Sequence, residues 1–116
     1  MAQGFRFGRV DGGAHATVVG VGTTQTGAAP ITAPTNNLTS EVGQTAFLLP
    51  DKHPAGSPIV CFVGTVAALI FPSPGGKING GAVDASFSAT AAKSVILTPL
   101  DDSDSDGTNW FATLSA

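Results

Sequence analysis

The sequence is a series of short apolar runs that Gly and Pro residues separate. Residues 45–49, 59–63 and 68–71 are apolar runs of strand length, and turn-forming residues follow each of them. A continuous apolar run of this length indicates a buried strand. Residues 85–90 alternate apolar and polar side chains, which indicates a strand with one face in the core. This alternation places Phe87 on the core side.

Two more strands are predicted near the end of the sequence. Residues 94–98 form an apolar run, and residues 109–114 contain two adjacent aromatic side chains, Trp110 and Phe111. Successive side chains of a strand point to opposite faces. We therefore expect Trp110 and Phe111 on opposite sides of the sheet.

Turn chemistry predicts two hairpins. Asn79 and Gly80 lie between residues 77–78 and 82–83. Asn-Gly suits a type I′ turn because both central residues need a positive φ. A Gly-containing segment, residues 64–66, joins the second and third apolar runs, which we therefore also expect to pair as a hairpin.

These elements together predict an all-β fold. Pro and Gly interrupt the chain too often for a long amphipathic helix, and strong helix formers are scarce. About six to eight short strands at regular spacing are typical of a single β-sandwich or a jelly-roll-like barrel with antiparallel strands. A parallel βαβ fold is disfavoured because no segment can form the crossover helix.

The first 35 residues differ from the rest of the chain. They are rich in Gly and poor in apolar residues, which predicts weak intrinsic structure. We divide the chain into an extended N-terminal arm, residues 1–35, and a β-sandwich domain, residues 36–116. The arm is either a frayed terminus or a segment that orders against a partner. The expected partner-binding residues are Phe5, Arg6, Phe7 and Arg9.

The surface is predicted to be polar but poorly charged. Only 11% of residues are charged, against a usual level of about 25%, and the formal net charge is −3. This composition is typical of a chain that hides its surface in an assembly, and it argues against nucleic-acid binding. The longest apolar run, residues 66–71, is too short to cross a membrane. The N-terminus lacks the apolar core of a signal peptide.

One acidic segment has the pattern of a metal-binding loop. Asp102, Asp104 and Asp106 alternate before Gly107, as in the first half of a calcium loop. The position that supplies a bidentate Glu in such a loop is Thr113. The segment is therefore either a weak calcium site or a solvated acidic turn. No other cofactor is expected.

Candidate catalytic residues are few and scattered. His15 lies in the predicted arm and His53 in a proline-rich turn, while Cys61 lies inside an apolar run. A nucleophilic hydrolase needs a nucleophile, a base and an orienting acid that converge. We therefore predict that the protein is not an enzyme. A single Cys also allows no intramolecular disulfide.

Residues 45–114 contain a distinctive order of structural features. These are a Leu-Leu-Pro stop, a Gly before an apolar strand, a strand that ends in Pro, a Gly-Gly-x-Ile-Asn-Gly segment, an alternating strand, an apolar strand and a Trp-aromatic pair. In this sequence they are Leu48-Leu49-Pro50, Gly56 before 59–63, Leu69-Ile70-Phe71-Pro72, Gly75-Gly76-Lys77-Ile78-Asn79-Gly80, 83–90, 94–98 and Asn109-Trp110-Phe111. The order resembles a β domain of tailed-bacteriophage virion proteins.

The resemblance implies a structural role in a virus particle. Domains of this kind occur in head decoration (cement) proteins and head fibres, and also in tail fibres and spikes. For a short single-domain chain, the resemblance implies a decoration protein that is made in the bacterial cytoplasm. It would bind the major capsid protein on the outer surface of the head as a homotrimer and stabilise the capsid. The alternative is a tail fibre, spike or tail-tip component that attaches to the host. An unrelated small binding module or enzyme is a third possibility.

Overall fold

Ten β-strands form the described part of the chain, and that part contains no helix. The computed structural model describes residues 15–51, 53, 56–100 and 109–115. The strands are β1 (His15–Val19), β2 (Ala29–Pro30), β3 (Thr35–Thr39), β4 (Ala46–Leu48), β5 (Ile59–Val63), β6 (Ala68–Phe71), β7 (Lys77–Ile78), β8 (Phe87–Ala89), β9 (Ser94–Pro99) and β10 (Asn109–Leu114). The expectation of an all-β chain is confirmed. Across the described residues, no helix is long and apolar enough to span a membrane.

The strands form two sheets, and the chain alternates between them. The larger sheet has the order β1-β3-β5-β9-β10-β7, and the smaller has the order β2-β4-β6-β8. From β1 to β6, odd-numbered strands enter the six-stranded sheet and even-numbered strands enter the four-stranded sheet. Each time the chain returns to a sheet it runs in the same direction as before, so β1, β3 and β5 are parallel to one another, as are β2, β4 and β6.

Both sheets are mixed, so the prediction of antiparallel strands is wrong for most of the molecule. Five of the eight strand pairs are parallel, including β1 with β3, β3 with β5, β2 with β4 and β4 with β6. Only β9 with β10, β5 with β9 and β6 with β8 are antiparallel. A parallel pair needs a long crossover connection. Here a strand of the opposite sheet fills that connection instead of a helix.

Neither predicted hairpin forms. β5 and β6 enter different sheets, and Gly64 N donates a 3.0 Å hydrogen bond to Leu38 O of β3 instead of turning the chain back. At the second site the turn itself is as expected, with φ of 55° at Asn79 and 70° at Gly80. However, β7 pairs in parallel with β10, and residues 82–83 are not a strand. The sequence predicted the conformation of this turn but not the strand with which β7 pairs.

One hydrophobic core is shared by both sheets. Phe47 and Ile70 of the small sheet and Leu97 and Trp110 of the large sheet are all fully buried in one cluster. Phe87 packs against this cluster, which confirms its predicted direction. Trp110 and Phe111 point to opposite faces as expected. Gly20 has no room for a side chain, because an added Cβ would collide with the carbonyl oxygen of Gln44.

The described part of the predicted arm lies within the two sheets. β1 pairs with β3 along its whole length, and Ile31 is completely buried, with its N–H donating a 2.8 Å hydrogen bond to Leu48 O. Residues 15–35 therefore pack with the rest of the domain and do not extend from it. Residues 1–14 lie outside the described part of the chain.

Candidate interaction surface

The side of the six-stranded sheet that faces away from the core is the most distinctive surface of the described chain. We call the outward side of β1, β3, β5, β9 and β10 the outer face. Register places its side chains in rows, because Val60 lies opposite Ile96, and Ile96 lies opposite Thr113. In the next rows Phe62 lies opposite Ser94, and Phe111 opposite Thr98. All of these side chains therefore project from one side of the sheet.

Large apolar side chains are concentrated on the outer face. Val19, Phe62, Ile96 and Phe111 are 54%, 50%, 45% and 52% exposed, and they are four of the eight exposed large hydrophobic residues in the described chain. Directly opposite side chains of a sheet are about 5 Å apart, and diagonal ones about 7–8 Å apart. Phe62, Ile96 and Phe111 thus form a diagonal apolar band across three neighbouring strands.

No charged side chain interrupts this band. The strands β1, β3, β5, β9 and β10 contain no Asp, Glu, Lys or Arg. The nearest charged strand residue is Lys77, which lies at the edge of the sheet opposite Asn109. The other positions on the outer face are mainly Thr, Ser and Asn. This surface can be buried against another surface without desolvating a carboxylate, ammonium or guanidinium group.

The strand β5 shows why the outer face was not evident from the sequence. Residues 59–63 are apolar throughout, which suggested a buried strand. In the structure Ile59, Cys61 and Val63 are buried, Val60 is half-buried and Phe62 is half-exposed. Only one side of this strand belongs to the core. The low overall charge was the single sequence signal that pointed to such a surface.

Asn79 fixes the strand that carries Phe111. Its Oδ1 accepts a 2.8 Å hydrogen bond from Ala112 N, and its Nδ2 donates a 3.2 Å hydrogen bond to Ala112 O. Asn79 N also donates to Trp110 O at 2.8 Å. The side-chain amide thus continues the pairing of β7 with β10 by one residue. Sequence reasoning identified Asn79 only as a turn residue and missed this contact.

A second polar contact joins loops beside the four-stranded sheet. Asp84 accepts hydrogen bonds from Gly75 N at 2.7 Å and from Gln25 Nε2 at 3.0 Å. Gln25 Nε2 also donates to Pro72 O at 2.8 Å. The hydrogen bond from Gln25, followed by the one from Gly75, lowers the pKa of Asp84. This contact holds the loops together and offers no open site.

The three residues considered as catalysts have separate structural settings. His15 lies on the edge strand β1, with its Nε2 3.2 Å from Asn37 Nδ2. The ring of His53 stacks on Trp110 with a centroid distance of 5.8 Å. Cys61 is buried, and desolvation raises the pKa of its thiol to about 12. The structure therefore does not bring them together, and the described residues enclose no pocket.

The predicted binding residues lie outside the described part of the chain. They are the possible calcium ligands Asp102, Asp104 and Asp106 and the partner-binding residues Phe5, Arg6, Phe7 and Arg9. Among the residues that the structure does describe, no group of three or more His, Cys, Asp or Glu side chains could hold a metal ion. Both predictions stay predictions.

Comparison with known proteins adds no assignment to this surface. No protein-family model, curated protein or solved structure matches the chain.

Proposed function

We propose that this chain is a structural virion protein of a tailed bacteriophage. In this proposal it binds the outer surface of the head as a homotrimer and stabilises the capsid. The observation that carries the proposal is the outer face, whose strands contain no Asp, Glu, Lys or Arg and which includes half of the exposed large hydrophobic residues of the described chain. Exposed apolar surface of this kind marks an interaction site in soluble proteins.

The sequence resemblance supports the same role through structural residues. The Gly-Gly-x-Ile-Asn-Gly segment contains Asn79, which pairs with Ala112, and the Trp-aromatic pair supplies both the buried Trp110 and the exposed Phe111. We also propose that the two sheets form a single sandwich or jelly-roll-like barrel. The hydrophobic core that both sheets share supports this assignment.

Capsid attachment is assigned to the segment that precedes β1. Phe5, Arg6, Phe7 and Arg9 would contact the major capsid protein, with main-chain pairing to an exposed strand edge as the natural mode. Three such segments in one trimer would bind as a multivalent unit, which raises the overall affinity without new contacts. The bound trimers would oppose the outward pressure of packaged DNA. The proposal includes no catalytic step.

Co-sedimentation with phage heads tests this function. The full chain is mixed with heads that lack decoration protein, and the bound copies are counted. We expect binding at high copy number, and we expect deletion of residues 1–14 to abolish it while the circular dichroism spectrum stays β-rich. Deletion of residues 1–4 is the matched control, because it keeps all four predicted contact residues and should bind normally.

Two results would contradict the proposal. One is normal coating of heads by the protein that lacks residues 1–14, which would remove the role of that segment. The other is failure of the full chain to bind heads at all. Binding to host cells instead of heads would favour the tail-fibre or tail-tip alternative.

A further inference from the structure

We propose that the outer face is the surface through which copies of this chain contact one another. This inference deepens the proposed function, and it depends on that function only for the number of copies in the assembly. The central residues are Phe62, Ile96 and Phe111, which form the apolar band across β5, β9 and β10. The occupant of the face is a second copy of the same chain.

The polar residues of the face are complementary to those of an identical copy. Thr98, Thr113 and Ser94 border the apolar band. Each hydroxyl group both donates and accepts hydrogen bonds. Two copies of such a surface can therefore satisfy one another in many orientations, whereas an acidic or basic surface needs a partner of opposite charge.

The distribution of charge points to the same occupant. The chain has a formal net charge of −3, so two copies repel one another through most approaches. The described acidic residues Glu41, Asp51 and Asp84 all lie in loops outside the strands of the outer face. The strands of the outer face contain no Asp, Glu, Lys or Arg, so contact between these strands of two copies places no such like charges opposite one another.

The size of the face predicts the strength of this contact. Five strands about 4.8 Å apart and five residues long at about 3.3 Å per residue cover a projected area of about 400 Å². A stable interface buries about 800 Å² on each partner. We therefore expect weak, concentration-dependent association in free solution, and efficient association where attachment to a larger particle raises the local concentration.

Sedimentation equilibrium with charge substitutions tests the proposal. The average mass of the wild-type chain should rise above the monomer mass of 11.5 kDa between ~10 µM and ~1 mM protein. Ile96→Lys places a charge at the centre of the contact without burying it in the monomer. It should weaken association at least ~10-fold, since the charge must be desolvated on contact.

Two further variants control for charge and for folding. Val42→Lys adds the same charge at a 96% exposed position in a turn outside the face, and it should associate like the wild type. Thr113→Lys changes a polar residue opposite Ile96 and should weaken association even if Ile96→Lys does not fold. A wild-type chain that stays monomeric throughout this range would overturn the proposal, as would undiminished association of folded Lys variants at positions 96 and 113.

The outcome is separable from the test of capsid attachment. Loss of head binding with normal self-association would contradict only the proposed function. Normal head binding by a chain that never self-associates would contradict the role of the outer face and the homotrimer, and it would leave capsid attachment unaffected. A limiting mass other than a trimer would correct the copy number and leave the contact surface unchanged.

Discussion

The inner and outer sides of the six-stranded sheet are built from adjacent residues of the same strands. Trp110 and Phe111 are neighbours on β10, and Cys61 and Phe62 are neighbours on β5. The first of each pair is completely buried, while the second is about half exposed. Both sides of these strands carry large apolar groups, yet folding of one chain buries only the inner set. The outer set therefore adds little to the stability of the single chain and is free to serve association.

Alanine substitutions at the neighbours Trp110 and Phe111 should give the largest difference in the free energy of unfolding between the two sides. We expect Trp110→Ala to lower the free energy of unfolding by about 3–5 kcal/mol, because it removes the largest side chain of the core. Phe111→Ala should lower it by only about 1 kcal/mol, because about half of this side chain is already exposed. Urea unfolding followed by circular dichroism measures both values. Equal losses in the two variants would show that the outer face also stabilises the single chain.

The neighbours Asn36 and Asn37 extend the comparison to polar residues of β3. Asn36 points inward, is 1% exposed, and donates a 2.8 Å hydrogen bond from its Nδ2 to Ala33 O. We expect Asn36→Ala to cost about 1–3 kcal/mol, because the buried carbonyl loses its donor. Asn37→Ala should cost less than about 0.5 kcal/mol, since Asn37 is exposed on the outer face. A larger loss from Asn37→Ala in urea unfolding would reverse our assignment of the two sides.

Cys61 makes the inner side sensitive to alkaline pH. Its thiol has a pKa of about 12 in the folded chain because of burial, above the ordinary value of 9.0. The unfolded chain therefore releases this proton first as pH rises, so the contribution to stability is complete below pH 9 and declines between about 9 and 12. Each pH unit in this window should lower stability by roughly 1 kcal/mol.

Cys61→Ala is the matched control for this effect. The difference in the free energy of unfolding between the wild type and Cys61→Ala should shrink or change sign between about pH 8.5 and about pH 10.5, which lie about half a unit below and about one and a half units above the start of the window. Other titrating groups affect both proteins equally. A constant difference over this range would mean that the thiol ionises equally in the folded and unfolded chains.

Asp84 belongs to neither side of the six-stranded sheet, and its substitution should have the smallest effect on stability. Its pKa is lowered by the hydrogen bonds from Gln25 and Gly75, so its stabilising contribution is present above the ordinary value of 3.8 and is lost as pH falls through the lowered value. Asp84→Asn keeps the positive φ of 66°, which Asn tolerates, but removes the charge. We expect a small decrease in melting temperature at pH 7 that vanishes in acid. An undiminished decrease in acid would attribute it to geometry instead of charge.

Local features of the fold could be read from the sequence. The bounds of β5, β6 and β10 match the apolar runs at 59–63, 68–71 and 109–114. These predictions succeed because strand length and side-chain alternation depend on neighbouring residues. The inward position of Phe87 and the opposite directions of Trp110 and Phe111 follow from the same alternation.

The pairing of strands could not be read in the same way. The Asn79 turn has the predicted φ, but the strand before it pairs with β10, far along the chain. Likewise, residues 64–66 resemble a hairpin connection and instead carry the chain from one sheet to the other. Whether a connection reverses within one sheet or crosses to the opposite sheet depends on packing between the sheets, which the turn residues do not determine.

The candidate surface was predictable only in its chemistry. The charge content of 11% indicated a surface suited to assembly, but it did not locate that surface. The outer face exists because the outward residues of β5, β9 and β10 become neighbours in the sheet. Phe62 and Phe111 are distant in sequence, so no local pattern marks them as parts of one apolar band.

The alternation of the chain between two sheets has a consequence for the route to the native state. β1 pairs with β3 although β2, which lies between them in the chain, belongs to the other sheet, and Val60 of β5 pairs with Ile96 of the distant β9. Few hairpins are available to begin folding. Distant parts of the chain must therefore come together, at a cost in entropy, before their contacts stabilise the fold. Refolding should accordingly take on the order of milliseconds to seconds, as for other topologies dominated by distant pairings. During that interval the apolar strands, including those that later form the outer face, are exposed and can make non-native contacts.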